Sequence, residues 1–307
     1  MKTHWREITG YALIALASSF WGGAASLGKT LFREGMTTGQ LMLVRSVFTA
    51  VILFAVLGIF SRKHLAIHAR DLRGLLLLAL PGLVVVNASY YQAIKLMPVA
   101  IAVFIQFSAA VLVFLYGWIT KNETATGGKL LALVMSVVGT LLMVQLQKNQ
   151  LQGLPSFGLF CAFLSMVSYA LYLIVSHRLS EKHSAFKLVA YGYGLAALFW
   201  VVVINPIQTF QFITEKKLWA PTLFFSLFST LIPFTLFMIA MKRVSPTGAA
   251  IASTTETVMA SLFAFIFLGE VLYPIQIVGA AFILCAIILL VLPQKVTPET
   301  AEVSAAK

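Results

Sequence analysis

Of the ten acidic residues in this 307-residue chain, Glu256 is the one set deep within an apolar run, in Ser253-Thr254-Thr255-Glu256-Thr257. An ionised carboxylate inside hydrocarbon costs roughly 2.5–3.5 kcal/mol on insertion scales, so it must face a cavity or a partner. A carboxyl that alternates between neutral and charged in such a place is suited to carrying a proton. Its plainer role is structural, bonded to a neighbouring hydroxyl such as Ser253 or paired with a base. Arg45, about a third of the way into another apolar run, is the matching cation. It has three uses open to it: holding an anionic group of a solute, pairing with Glu256, or snorkelling toward an interface.

Polar and aromatic side chains recur at helical spacing in three further runs. Ser18, Trp21, Gly22 and Ala25 share one face; so do Asn87, Tyr90 and Tyr91; so do Ser165, Ser168, Tyr169 and Tyr172. Gln106 and Ser108 lie on a fourth run. Such stripes more often knit membrane helices together than hold a ligand. Aimed at one centre, the aromatics would favour a partly apolar or amphiphilic solute. No catalytic constellation accompanies them. His4, His64, His68, His177 and His183 all fall outside the deep parts of the runs, and Cys161 and Cys285 have no metal-ligand spacing. The glycines form no phosphate-cradling loop. No enzyme activity, metal or cofactor is expected.

The elements that must position these residues follow from composition. Sixty per cent of the chain is apolar and only 10% charged, against ~25% charged in an ordinary soluble domain, which excludes a soluble protein. Ten uninterrupted runs are each long enough to cross ~30 Å of hydrocarbon as a helix. They lie near Ile8–Leu27, Thr38–Phe60, Leu72–Ile94, Val99–Ile119, Gly127–Leu146, Pro155–Ser176, Leu188–Ile204, Leu218–Met241, Thr247–Leu268 and Tyr273–Leu292. Helix is forced because lipid offers no partner to an unpaired backbone group. The net charge of +12 is explained by loop lysines and arginines, not by a nucleic-acid surface. Placing the N-terminus in the cytoplasm puts fifteen Lys/Arg inside and six outside, which sets both termini in the cytoplasm.

The chain also resembles itself at an offset of 147 or 148. Ala93-Ile94-Lys95 matches Ala240-Met241-Lys242, Pro98 matches Pro246, Trp21 matches Tyr169 and Glu123 matches Glu270. Five is an odd number of spans, so a second copy runs upside down relative to the first. Inverted repeats of this kind place a binding site between the halves near mid-membrane. The expected architecture is therefore an all-α membrane protein of ten transmembrane helices in two inverted five-helix repeats. Residues 1–150 form the first, 151–293 the second, and 294–307 a disordered cytoplasmic tail.

Several of these residues resemble the EamA branch of the drug/metabolite transporter superfamily. Phe20-Trp21-Gly22 with Lys29 and Arg45 is similar to the branch's opening pattern, and Tyr91-Gln92-Ala93-Ile94-Lys95 with Pro98 to its third-to-fourth span turn. The segment Glu256-Thr257-Val258-Met259-Ala260-Ser261-Leu262, continuing through Leu268-Gly269-Glu270 to Gln276 and Gly279, resembles its most recognisable stretch. Thr257 stands where the branch commonly has proline, and Ser108 where the first half would carry the matching glutamate. The resemblance implies a central cavity lined by spans one to four and six to nine, with five and ten peripheral, and export of amino acids or other small metabolites. The expectation is a multi-pass bacterial inner-membrane secondary transporter working by alternating access. A polytopic membrane enzyme acting on lipid and a passive solute channel are the alternatives. The expected substrate-binding residues are Trp21, Arg45, Tyr90, Tyr91, Gln106, Tyr169 and Glu256, with Glu256 also the proton-coupling candidate. A small-molecule solute and membrane lipid are the expected partners, with a homodimer left open and no nucleic acid.

Overall fold

A computed structural model describes residues 2–61, 65–145, 153–269 and 271–292. The tail at 294–307, Glu270 and the loop cations Arg62, Lys63, Lys148, Lys295 and Lys307 lie outside the described residues, as do the side chains of Ala25 and Lys29. Among the described residues the regular elements are all helices, in the order α1 (Lys2–Arg33), α2 (Thr38–Phe60), α3 (Ala69–Ala79), α4 (Val86–Leu96), α5 (Val99–Phe107), α6 (Ala109–Ile119), α7 (Gly127–Val144), α8 (Ser156–Lys182), α9 (Ala185–Val203), α10 (Pro206–Glu215), α11 (Trp219–Ser226), α12 (Ile232–Met241), α13 (Pro246–Ser253), α14 (Thr255–Leu268) and α15 (Pro274–Val291). Counting broken helices as one segment, nine among the described residues are long and apolar enough to cross a membrane. The chain is an all-α, multi-pass membrane protein. Val202 and Phe267, among many apolar side chains left exposed, point away from the protein, where hydrocarbon replaces water as the solvent.

The starts of the helices are written locally. Thr37 caps α2 in a reciprocal box, its hydroxyl accepting from Gln40 N at 3.2 Å while Gln40 Oε1 accepts from Thr37 N at 2.9 Å. Thr126, Ser184 and Ser245 cap α7, α9 and α13 in the simpler way, and proline stands in the first turn of α10, α13 and α15.

Four expected spans are not regular helices. Between α3 and α4 the backbone takes a π turn over Leu80–Val85, and between α11 and α12 another over Leu227–Leu231. Pro81 and Pro233 supply no N–H, so the ladder must rearrange around them. In each turn a polar side chain takes up a carbonyl: Asn87 Nδ2 donates to Leu83 O at 2.7 Å, and Thr235 Oγ1 to Leu231 O at 2.6 Å. The α5–α6 and α13–α14 spans break instead at Ser108 and Thr254. There a hydroxyl bonds back to the preceding turn, Ser108 Oγ to Phe104 O at 2.8 Å and Thr254 Oγ1 to Ile251 O at 2.6 Å.

One element departs from the expected runs. The stretch after Ile204 forms α10, capped by Asn205, whose Oδ1 accepts from Gln208 N at 3.2 Å. Ten residues with two glutamines and two threonines are too short and too polar to read as a span. The helix is amphipathic, burying Thr209 and Ile213 while exposing Ile207. Phe210 stacks on Trp219, ring centroids 5.8 Å apart, which ties it to the next helix.

Packing pairs α2 with α9, α7 with α15, α4 and α5 with α8, α1 with α12 and α14, and α6 with α13. Small residues permit the closest approaches. A Cβ on Gly22 would lie 2.7 Å from Ala260 N, and one on Gly139 2.8 Å from Gly279 O. Gly22 therefore serves helix contact, the reading its stripe favoured. Ser165, whose hydroxyl donates to Val86 O at 3.4 Å, serves it as well.

Candidate functional site

The two π turns meet at a cavity of about 240 Å³ inside the bundle, and the residues next to the breaks, Gln106 and Glu256, also line it. Its wall takes Trp21 from α1, Arg45 from α2, Tyr90 and Tyr91 from α4, Gln106 from α5, Tyr169 from α8 and Glu256 from α14. The structure thus brings all seven expected residues together. Asn87, Tyr172, Ser229 and Phe234 add to the polar and aromatic part of the lining. The volume suits a small solute, somewhat below the ~300–1,000 Å³ of drug-sized sites.

Each side chain is held by a particular neighbour. Trp21 donates its Nε1 to Ser229 O at 3.1 Å, a carbonyl in the π turn before α12, and meets Phe234 edge-on at 5.0 Å. Tyr169 lies edge-to-face with Phe107 at 6.3 Å and parallel to Tyr172 at 6.2 Å. Tyr90 and Tyr91 pack against each other at 5.7 Å, and Tyr91 against Phe32 at 6.0 Å. Arg45 is only 4% exposed; its guanidinium donates to Tyr193 Oη at 3.4 Å and lies 5.9 Å from the Phe234 ring centroid. Guanidinium over an aromatic face is a favourable way to keep a cation out of water.

Glu256 sits in the first turn of α14, directly after the break at Thr254. A carboxylate at a helix N-terminus meets the positive end of the helix dipole. Neither structural partner proposed for it from sequence is used. Ser253 Oγ donates to Ala249 O at 2.8 Å, and Arg45 does not come within ion-pair distance of the carboxylate. The half-buried carboxylate faces the cavity with the cation on another helix, so the site presents both charges across a shared space.

Sequence reasoning missed Tyr193, which orients Arg45, and the Phe234 ring under it. Tyr193 follows Arg45 by 148 residues, the same offset that pairs Trp21 with Tyr169, so the internal repeat carried a signal for it. Phe234 carried none, being one phenylalanine among 24.

The cavity has a direction. Its lining runs to Phe32, Ile94 and Val99, at the end of the bundle where α1 and α4 finish and α5 begins. On the other side Tyr172 stacks on Phe237 at 5.7 Å and touches Phe234 at 6.2 Å, a closed aromatic floor. Beyond that floor lies a second cavity of about 610 Å³, lined by charged residues including Arg6, Glu7, Glu123, Arg178, Glu181 and Lys242.

A family model described as the EamA-like transporter family matches twice, over residues 8–145 and 156–292. An uncharacterized transporter of Archaeoglobus fulgidus is 30% identical over 68% of this chain and 74% of its own. The threonine/homoserine exporter of Escherichia coli (strain K12) is 27% identical over 89% of this chain and 88% of its own. A crystal structure of a protein 16% identical in sequence shares the fold with a TM-score of 0.72, covering 91% of this chain and 95% of that one.

Proposed function

The chain belongs to the EamA-like transporter family, and from that premise we propose that it exports an amino acid or similar small polar metabolite across the bacterial inner membrane by alternating access. The observation that carries this reading is the central cavity, where Arg45 and Glu256 offer opposite charges on separate helices between Trp21, Tyr90, Tyr91 and Tyr169. A zwitterion fits such a pair: its carboxylate toward the guanidinium, its ammonium toward the carboxylate, and its side chain against the rings. Gln106 adds an amide for a side-chain hydroxyl. The threonine/homoserine exporter among the relatives handles solutes of this chemistry.

The proposed architecture is ten spans in two inverted halves, 1–150 and 151–293, with α1 as the tenth span and both termini in the cytoplasm. Local structure supports it. The π turns at Leu80–Val85 and Leu227–Leu231, the breaks at Ser108 and Thr254, and the caps Thr37 and Ser184 fall at nearly constant offset. The pairing of α2 with α9 and of α7 with α15 is what two halves related by a two-fold axis produce. Glu256 then carries the proton: entry down its gradient protonates the carboxylate, and loss of its charge releases the solute's ammonium.

Purified protein in liposomes loaded with labelled threonine, homoserine or other amino acids tests the proposal. Solute movement against its own gradient when a pH gradient is imposed, saturating in the concentration of one of these amino acids, is the expected result. Flux that neither saturates nor responds to the pH gradient would identify a passive pathway and end the proposal.

A further inference from the structure

The charged cavity beyond the aromatic floor contains a contact that central binding does not use. Glu123, in the turn between α6 and α7, accepts a hydrogen bond at Oε1 from the backbone N–H of Thr247, at 3.1 Å. Thr247 lies in the first turn of α13, whose leading amides have no partner within the helix. The next amide, Gly248 N, is taken by the cap Ser245 at 3.2 Å. The other carboxylate oxygen, Oε2, pairs with Lys129 Nζ at 3.3 Å at the start of α7, and the Glu123 side chain is 11% exposed. Its stem is fixed by Gly117, where an added Cβ would lie 3.2 Å from Glu123 Cβ and Cγ, and by its own N–H, which donates to Gly117 O at 3.1 Å.

We propose that Glu123 is a gating residue, a carboxylate latch that clamps the α6–α7 turn onto the first turn of α13 and holds this end of the passage shut. The inference rests on the alternating-access reading above and adds to it the group that must let go when the passage reverses.

The chemistry suits a latch. Within its own half Glu123 keeps Lys129 whether or not α13 is docked, so undocking leaves no unpaired charge behind. Across the interface it accepts a backbone amide at the positive end of a helix, a bond of fixed direction that breaks as one step when α13 tilts away. Among the described residues, three other side-chain contacts at this end join elements around the same cavity; one, between His177 of α8 and Met241 O of α12 at 2.8 Å, stays within the second half, and the other two cross between the halves. Arg178 of α8 donates to Tyr116 Oη of α6, and Arg6 of α1 donates to Lys242 O at 3.3 Å. Both use long, exposed guanidinium arms that can follow a moving partner. Glu123, short and anchored on Gly117, cannot. The closed floor of Tyr172, Phe234 and Phe237 lies between this latch and the central cavity, so the latched state is the one in which solute has no way through at this end.

The test uses the full chain in detergent, with Cys161 and Cys285 replaced by alanine and one reporter added at a time. Val113→Cys lies 1% exposed in the wall of the charged cavity, and Ile94→Cys stands near the far end of the central one. With Glu123 intact, a polar maleimide should modify Val113→Cys slowly and Ile94→Cys fast. Glu123→Ala should speed the first at least fivefold and slow the second. Glu123→Gln, whose amide oxygen can still accept from Thr247 N, should fall between. Unchanged rates at both reporters would overturn the latch. So would acceleration at both together with a fallen melting temperature, since that marks a loosened fold. Failure of the underlying reading looks different: Val113→Cys would stay unreactive even in the parent at any exposure time, because that end would never open.

Discussion

At the cavity wall, two charges are kept where hydrocarbon would otherwise forbid them, and they are kept in different ways. Arg45 is buried and satisfied by protein, through Tyr193 Oη and the Phe234 face. Glu256 faces the space, and neither Arg45 nor Ser253 bonds to it. A group meant to exchange a proton must not be locked into an ion pair, because the pair would hold its charge through the cycle. Glu256→Gln, uncharged like the protonated form that lets the ammonium go, should therefore weaken solute binding and cut the response to an imposed pH gradient at least tenfold. Labelled amino-acid counterflow and gradient-driven flux, measured on one preparation, check this. A gradient response equal to the parent's would assign Glu256 a structural role. Both residues were legible from sequence because a charge in an apolar run is expensive and therefore conspicuous. Phe234 was not, since a ring inside an apolar helix reads as packing until its neighbour is known, and Tyr193 was marked only by its 148-residue offset from Arg45.

Among the elements, the irregular helices do most to shape the site. The two π turns deliver Gly82 and Ser229 to the cavity, and the break at Thr254 is followed by the first turn of α14, which presents Glu256. Asn87 carries the first π turn by donating to Leu83 O. Asn87→Leu should remove that side-chain bond and leave Leu83 O with the backbone N–H of Val86 alone, at a cost of about 0.5–1.5 kcal/mol. The expected outcome is a melting temperature lowered by several degrees in detergent, with flux reduced beyond what the remaining folded fraction explains. Equal melting curves would show that the turn holds without its side-chain bond. Sequence placed these spans correctly but drew them as continuous rods. Prolines at 81 and 233 marked where the ladder must yield, whereas a hydroxyl bonding back at Ser108 or Thr254 has no signature distinguishing it from any other buried serine or threonine. The helix α10 was missed for a related reason: ten mixed residues lying flat follow neither the length rule of a span nor the composition of a loop.

Over the whole molecule, the proposed inverted arrangement makes a topological prediction. In intact cells, cysteine reporters at Lys121 and Lys242 should be shielded from an impermeant thiol reagent while one at Lys217 reacts. Reaction of all three from outside would remove the inverted repeat. Composition alone determined that the chain is a membrane protein, and the apolar runs set where its helices lie, because unpaired backbone in lipid leaves no other choice. The spacing of a few polar residues likewise determined which side chains belong to the candidate site, since each had to find a partner or a cavity. What only the tertiary structure decided is how those residues meet: that Arg45 turns to Tyr193 and not to Glu256, that the central cavity runs toward Ile94 and Val99, and that Tyr172, Phe234 and Phe237 pack together on its other side. These depend on the rotation of one helix against another. Packing between small residues sets that rotation, and no periodicity within a single helix records it.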